Sequence, residues 1–190
     1  MSDSRPVFFF DIDNCLYSKS PHVRETTQGL IDVFLQDNLL LDQEAAHKLH
    51  MQYHDEYSMV VEAIADKHGM SPFHFNSQVD DALPLEALLK PDPAVRKMLQ
   101  DMDRSKIKLW LFTNAYITHG ERVVRLLGLE DQFEGITYCN YGAKPLVYKP
   151  QPAMFRKAME DARVEDVDMC YYVGSYPSIA ARSARRYMYS

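Results

Sequence analysis

Cysteine is scarce in this chain and positive charge is outnumbered, and each shortage narrows what the protein does. The three cysteines among 190 residues, Cys15, Cys139 and Cys170, cannot all pair and do not have the spacing of a metal knuckle. Each lies in or beside an apolar run, where a small buried thiol is the ordinary role. A reducing, cytoplasmic setting is therefore expected, with the nucleus open as well. The 21 basic residues against 27 acidic ones leave a net charge of −6, which is unlike the basic face that wraps nucleic acid. No apolar stretch approaches the roughly 20 residues that span a bilayer. The first residues lack the basic region and long apolar core of a secretion signal. Internal repeats and low-complexity tracts are also missing. Partners are expected among small molecules, not nucleic acid polymers or membranes.

The chain does hold enough apolar material, 46% of its residues, for one compact core with room for a second small lobe. The most informative segment is Val7-Phe-Phe-Phe-Asp11-Ile-Asp13. Continuous apolar runs of this kind form buried strands of parallel sheets. Ligands in such sheets bind beyond the carboxyl ends of the strands. Two carboxylates placed there can hold a hard cation, attack an electrophile and shuttle a proton. Taken alone, Asp-x-Asp is equally a helix cap or a polar turn. Two further segments tilt the balance. The run Lys108–Phe112 stops at Thr113-Asn114, and a mixed stretch ending at Tyr148 leads to Lys149-Pro150. A hydroxyl and an ammonium would then join the carboxylates around an anion.

The pattern along the chain has two styles. Residues 18–89 show no convincing buried strand. Val23, Leu30, Val33 and Phe34 fall at helical spacing, and Asp42 to about Lys67 reads as a long helical stretch without glycine or proline, stopped at His68-Gly69. From residue 90 onward strands and helices alternate. Asp92 caps a helix with Pro93 in its first turn, and strand 107–112 follows. Thr118 to Glu121 has capping-box spacing for a helix that Gly128 closes. A short strand near 136–139, a helix over about 151–162 and strand 169–173 come next, with a last helix from about Ser178. Such alternation predicts an α/β, doubly wound (Rossmann-like) parallel sheet. The expected division is a core of residues 1–17 and 90–190 and a helical cap of residues 18–89. An insert directly after Asp13 would act as a lid over the strand ends.

Asp11-Ile-Asp13-Asn-Cys-Leu-Tyr17, Leu111-Phe-Thr113-Asn-Ala and Lys149-Pro150 resemble the first three motifs of the haloacid dehalogenase-like hydrolases. Within that superfamily, Asp13–Tyr17, Val79-Asp-Asp-Ala-Leu-Pro-Leu85 and Leu111–Ala115 are most similar to the fungal and plant pyrimidine 5'-nucleotidases. The resemblance spans roughly residues 7–184. It implies magnesium-dependent hydrolysis of a phosphomonoester, with a pyrimidine nucleoside 5'-monophosphate as the favoured substrate.

The resemblance also assigns roles. Asp11 would attack phosphorus to give an aspartyl-phosphate, and Asp13 would protonate the leaving alkoxide and later deprotonate water. Thr113 and Asn114 would hold phosphate oxygens, and Lys149 would offset the crowded negative charge. Magnesium would sit between Asp11, Asp13 and the phosphate. The cap's Tyr53, His54 and Tyr57 would recognise the base, although each is also an ordinary residue of an amphipathic helix with a wet polar tip.

One motif departs. Family members carry acids after the last strand, yet no Asp or Glu occurs from Gly174 to Ser190, and Asp166 and Asp168 precede the strand. Ser175 would offer only an uncharged hydroxyl. Ser58 and Ala63 also replace glycines expected in the cap. Weaker magnesium binding follows. The alternatives are a non-catalytic nucleotide-binding relative, a truncated product of a longer enzyme, and a haloacid dehalogenase that uses the same nucleophile without metal. Asp13 and the nucleotidase-like segments weigh against the last.

Overall fold

A computed structural model describes residues 4–17 and 21–174. Within them the chain divides into two compact units, one of residues 4–17, 89–140 and 147–174 and the other of residues 21–88 and 141–146.

The first unit is built on four parallel strands among the described residues, β1 (Val7–Phe10), β2 (Lys108–Phe112), β3 (Ile136–Thr137) and β4 (Cys170–Val173), in the order β3-β2-β1-β4. The chain steps outward from β1 to β2 and β3, then returns to pair β4 on the other side of β1. That reversal of strand order falls at β1, and ligands of such sheets bind beyond the carboxyl ends of the strands at this point. With its flanking helices this is an α/β Rossmann-like fold, as the alternating pattern predicts. The apolar runs explain the central strands: Val7, Phe9 and Phe10 of β1 and Leu109, Leu111 and Phe112 of β2 are buried.

Helix packing on the sheet follows from side-chain size and spacing. Helix α8 (Pro152–Ala162) lays Met154, Phe155, Ala158 and Ala162 on Val7, Phe9, Phe112 and Cys170. Those positions recur every three to four residues, so they share one helix face. The buried Lys108 donates to the carbonyl oxygen of Ala162 at 2.7 Å and so places a cation at the carboxyl end of α8. Helix α6 (Pro93–Gln100) starts where the sequence predicts, with the Asp92 carboxylate accepting from the Ala94 amide at 2.8 Å. Helix α7 (Ile117–Leu126) begins earlier than its capping-box pattern suggests. Tyr116 takes the cap position in extended backbone and no side chain caps the turn. Gly128 follows α7 with a φ of +65°, as expected of a stop glycine.

The second unit contains α1 (Pro21–Leu39), α2 (Gln43–Glu56), α3 (Val60–His68), α4 (Pro72–Gln78) and α5 (Leu85–Leu88). The stretch expected to run unbroken from Asp42 to Lys67 is two helices. Neither glycine nor proline marks the break at residues 57–59, because tertiary contacts cause it. Helix α3 folds back on α2, where the Tyr53 hydroxyl meets His68 Nε2 at 2.6 Å and the Tyr57 hydroxyl donates to Asp66 at 2.9 Å. Gly69 ends α3 with a φ of +63°, a left-handed cap that glycine takes without strain. No helix among the described residues is long and apolar enough to cross a membrane. The expected helix after Ser178 and the role of Ser175 fall outside the described residues.

Candidate active site

Asp11 is the first residue beyond β1, and its amide still joins the ladder by donating to the Val173 carbonyl at 2.8 Å. The chain then turns tightly, with the amides of Cys15 and Leu16 both donating to the Ile12 carbonyl. Ile12 is buried beneath the turn and anchors it. Asn14 adopts a φ of +58°, a left-handed conformation that asparagine tolerates better than most residues. The turn thereby places Asp13 on the same sheet edge as Asp11.

Lys149 comes to this edge from the loop before α8. Its ammonium donates to Asp11 Oδ1 at 2.7 Å and to the Phe112 carbonyl at 2.6 Å, and lies 5.0 Å from the centre of the Phe112 ring. Only 1% of Lys149 is exposed. Burial drives the Asp11 pKa up against the pull of the Lys149 charge, and it drives the Lys149 pKa down against the pull of Asp11. The pair is held by its geometry in a place where neither charge is hydrated.

Asn114 is occupied in holding that lysine. Its side-chain amide donates to the Lys149 carbonyl at 3.0 Å, while its side-chain oxygen accepts from the Lys149 amide at 2.6 Å. Thr113 directly follows β2 and is buried at the same edge. Its hydroxyl oxygen accepts from the Ala115 amide at 3.0 Å, which orients the O–H as a donor.

Asp13 has two partners that the motifs did not single out. Tyr17 donates to Asp13 Oδ1 at 2.9 Å, and His119 Nε2 lies 3.0 Å from the same oxygen. Both contacts fall on Oδ1, so Oδ2 is the oxygen left to face a reacting group. Burial alone would raise the Asp13 pKa, but His119 and then Tyr17 outweigh it and hold the carboxyl below its ordinary range. Water tempers the burial, since 32% of the Asp13 side chain stays accessible. His119 lies in the first turn of α7, the helix that follows Thr113, so its topological position was the available signal. Gly120 lets this turn approach closely: a Cβ there would come within 2.9 Å of Ile136 Cδ1 and 3.2 Å of Ile12 Cδ1.

Tyr172 was also missed. The alternation of β4 turns it inward, and its hydroxyl donates to Asp11 Oδ2 at 3.2 Å. Its ring lies 5.4 Å from the Lys149 ammonium.

The structure therefore gathers Asp11, Asp13, Thr113, Asn114 and Lys149 at one end of one sheet. Tyr53, His54 and Tyr57 lie on or just after α2 in the other unit. Tyr53 is buried with its hydroxyl on His68, Tyr57 is engaged with Asp66, and His54 is exposed. The Asp11 carboxylate and the Asp13 main-chain carbonyl are hard oxygen donors, which suits magnesium. The strand end of β4 adds no acid to these donors, because the sequence has none after Asp168.

Comparisons with known proteins identify the family. The profile of the haloacid dehalogenase-like hydrolases matches residues 6–177. Phosphate metabolism protein 8 of Saccharomyces cerevisiae is 40% identical over 163 residues, covering 82% of this chain and 51% of the yeast protein. The chain thus spans about half the length of that curated relative. The HAD-hydrolase YfnB of Bacillus subtilis, solved bound to magnesium, superposes with a TM-score of 0.59 at 14% identity, covering 97% of this chain and 86% of YfnB. L-2-haloacid dehalogenase of Xanthobacter autotrophicus gives a TM-score of 0.56 at 17% identity, covering 98% and 76% of the two chains. At such identities these structures speak for the fold alone. On its motifs, its fold and the match over residues 6–177, the chain belongs to the haloacid dehalogenase-like hydrolases.

Proposed function

We propose that this protein hydrolyses phosphomonoesters by way of an aspartyl-phosphate on Asp11, with a pyrimidine nucleoside 5'-monophosphate as the preferred substrate. The observation that carries the reading is the contact between Asp11 Oδ1 and Lys149 Nζ, with Thr113 and Asp13 at the same sheet edge. A carboxylate attacking a phosphate dianion faces like-charge repulsion, and a buried ammonium beside it offsets that repulsion.

Asp11 forms the bond to phosphorus as the bond to the ester oxygen breaks. Asp13 Oδ2 gives its proton to that oxygen. In the free protein His119 and Tyr17 favour the carboxylate form of Asp13, and an arriving phosphate dianion raises its proton affinity by like-charge repulsion. In the second half of the cycle Asp13 takes a proton from the water that attacks the phosphoryl group, and Asp11 is released. Thr113 donates to a phosphate oxygen. Asn114 acts through Lys149, whose backbone it grips on both sides. Asp11 and the Asp13 carbonyl would hold magnesium, which supplies charge neutralisation at phosphorus.

Support for the nucleotide is the similarity in residues 13–17, 79–85 and 111–115, together with a yeast relative named for phosphate metabolism. Base recognition is assigned to Tyr53, His54 and Tyr57 of the helical unit, of which His54 is exposed while the hydroxyls of Tyr53 and Tyr57 are engaged with His68 and Asp66. Phosphate release from a panel of nucleoside monophosphates with magnesium is the test. Turnover fastest on a pyrimidine 5'-monophosphate is expected. Nucleotide binding without turnover would instead favour a non-catalytic binding protein, a reading motivated by the absence of acids after Asp168.

A further inference from the structure

We infer that Asp32, His47 and His50 form a second metal site, separate in chemistry from the phosphate site, that takes a zinc-class divalent cation. Asp32 lies on α1, and the two histidines lie one turn apart on α2. Residues three apart share a helix face, so both imidazoles point the same way. His50 Nδ1 lies 2.6 Å from Asp32 Oδ1 and His47 Nδ1 lies 2.8 Å from Asp32 Oδ2. The three ligand atoms all fall within 4.8 Å of one another. Among the described residues no other set of three His, Cys, Asp or Glu side chains brings its ligand atoms so close.

The geometry suits a small tetrahedral ion. Zinc ligands sit about 2.1 Å from the metal, so neighbouring ligand atoms lie roughly 3.4 Å apart. The two histidine–aspartate separations of 2.8 and 2.6 Å are shorter than that value, and a side-chain rotation widens them. His50 is only 3% exposed and Asp32 18%, which fixes two ligands, while His47 at 58% exposure is free to swing and leaves a path from solvent. Three protein ligands leave a fourth position for water. Without metal, the carboxylate accepts both Nδ1–H groups. With metal, each ring changes tautomer, carrying its proton on Nε2 and offering the Nδ1 lone pair. Two imidazoles and one carboxylate favour zinc, copper or nickel, whereas magnesium prefers oxygen alone. Occupancy would clamp α1 to α2 within the helical unit.

Calorimetric titration of the whole protein with zinc chloride, in buffer containing millimolar magnesium, tests the site. One zinc per chain is expected, with a dissociation constant of about 10 µM or tighter. His47→Ala and Asp32→Asn should each weaken binding by about tenfold or more. His47 is exposed, so its loss leaves the fold intact, which circular dichroism checks. His22→Ala, which removes an exposed histidine elsewhere on α1, should bind as the wild type does. Cobalt should give the visible absorption of a low-symmetry site in the wild type and lose it in His47→Ala. An absence of stoichiometric zinc binding, or unchanged binding in both His47→Ala and Asp32→Asn, would overturn the assignment.

Discussion

Lys149 Nζ stands 2.7 Å from Asp11 Oδ1, and both side chains are buried. Each is the counter-charge that lets the other stay ionised out of water. Removing one partner strands the other, a loss that costs about 3–5 kcal/mol when the pair is buried. Lys149→Met should therefore lower stability by an amount in that range, and Asp11→Asn should also destabilise. The double variant should recover much of the loss, since neither charge remains. Urea unfolding of the four proteins measures the coupling. Additive losses would mean that the two groups do not depend on each other.

Asn114 separates two roles that its place after Thr113 leaves open. Its side chain is committed to the Lys149 backbone on both donor and acceptor sides. Asn114→Ala should then lower kcat for a phosphomonoester, because Lys149 loses its register against Asp11, with little change in KM. A direct phosphate ligand would show the reverse pattern, a raised KM at nearly unchanged kcat.

The carboxyl of Asp13 gives a pH prediction whose sign follows from its partners. Burial raises its pKa, but His119 and Tyr17 more than reverse the effect, so the folded value lies below the ordinary 3.8. A depressed folded pKa stabilises the protein above the unfolded value, and the contribution is lost as pH falls through the folded one. The stability gap between the wild type and Asp13→Asn should hold at neutral pH and shrink as pH drops below 3.8. Kinetically, His119→Gln should move the limb of the pH–rate profile that reports Asp13 to higher pH. A limb that stays in place would remove His119 from the proton chemistry.

Magnesium affinity should rise when an acid is restored after the last strand. Val173 accepts from the Asp11 amide, so the end of β4 adjoins the nucleophile. Ser175→Asp adds a hard charged donor just beyond that point in sequence. Tighter magnesium binding, read by titration of metal against turnover or by calorimetry, is the expected result. An unchanged affinity would place the metal elsewhere.

Features set by local chemistry were legible before any coordinates. The apolar runs that stop at Asp11 and Thr113 announce buried strands with polar ends, and the Asp92-Pro93 pair fixes the start of α6 through a cap and a preset φ. Lys149 was legible through Pro150 and the helix behind it. Features set by tertiary contact were hidden. The break between α2 and α3 depends on contacts between Tyr53 and His68, and Thr118 yields the cap of α7 to Tyr116. His119 meets Asp13 across 106 positions of sequence, and in a one-dimensional reading it is one more residue of an amphipathic helix. Tyr172 is concealed in the same way by the alternation of β4. The position of His119, in the first turn of the helix after Thr113, is the clue that topology supplies and spacing does not.

Chemical trapping of the phosphoryl group on Asp11 tests the central claim most directly. Protein mixed with a pyrimidine nucleoside 5'-monophosphate and magnesium, quenched in acid and digested, should yield a phosphorylated peptide containing Asp11. The same treatment of Asp11→Asn should yield none. Phosphate released at an equal rate by Asp11→Asn, or a phosphoryl group found on another residue in the wild type, would contradict the account.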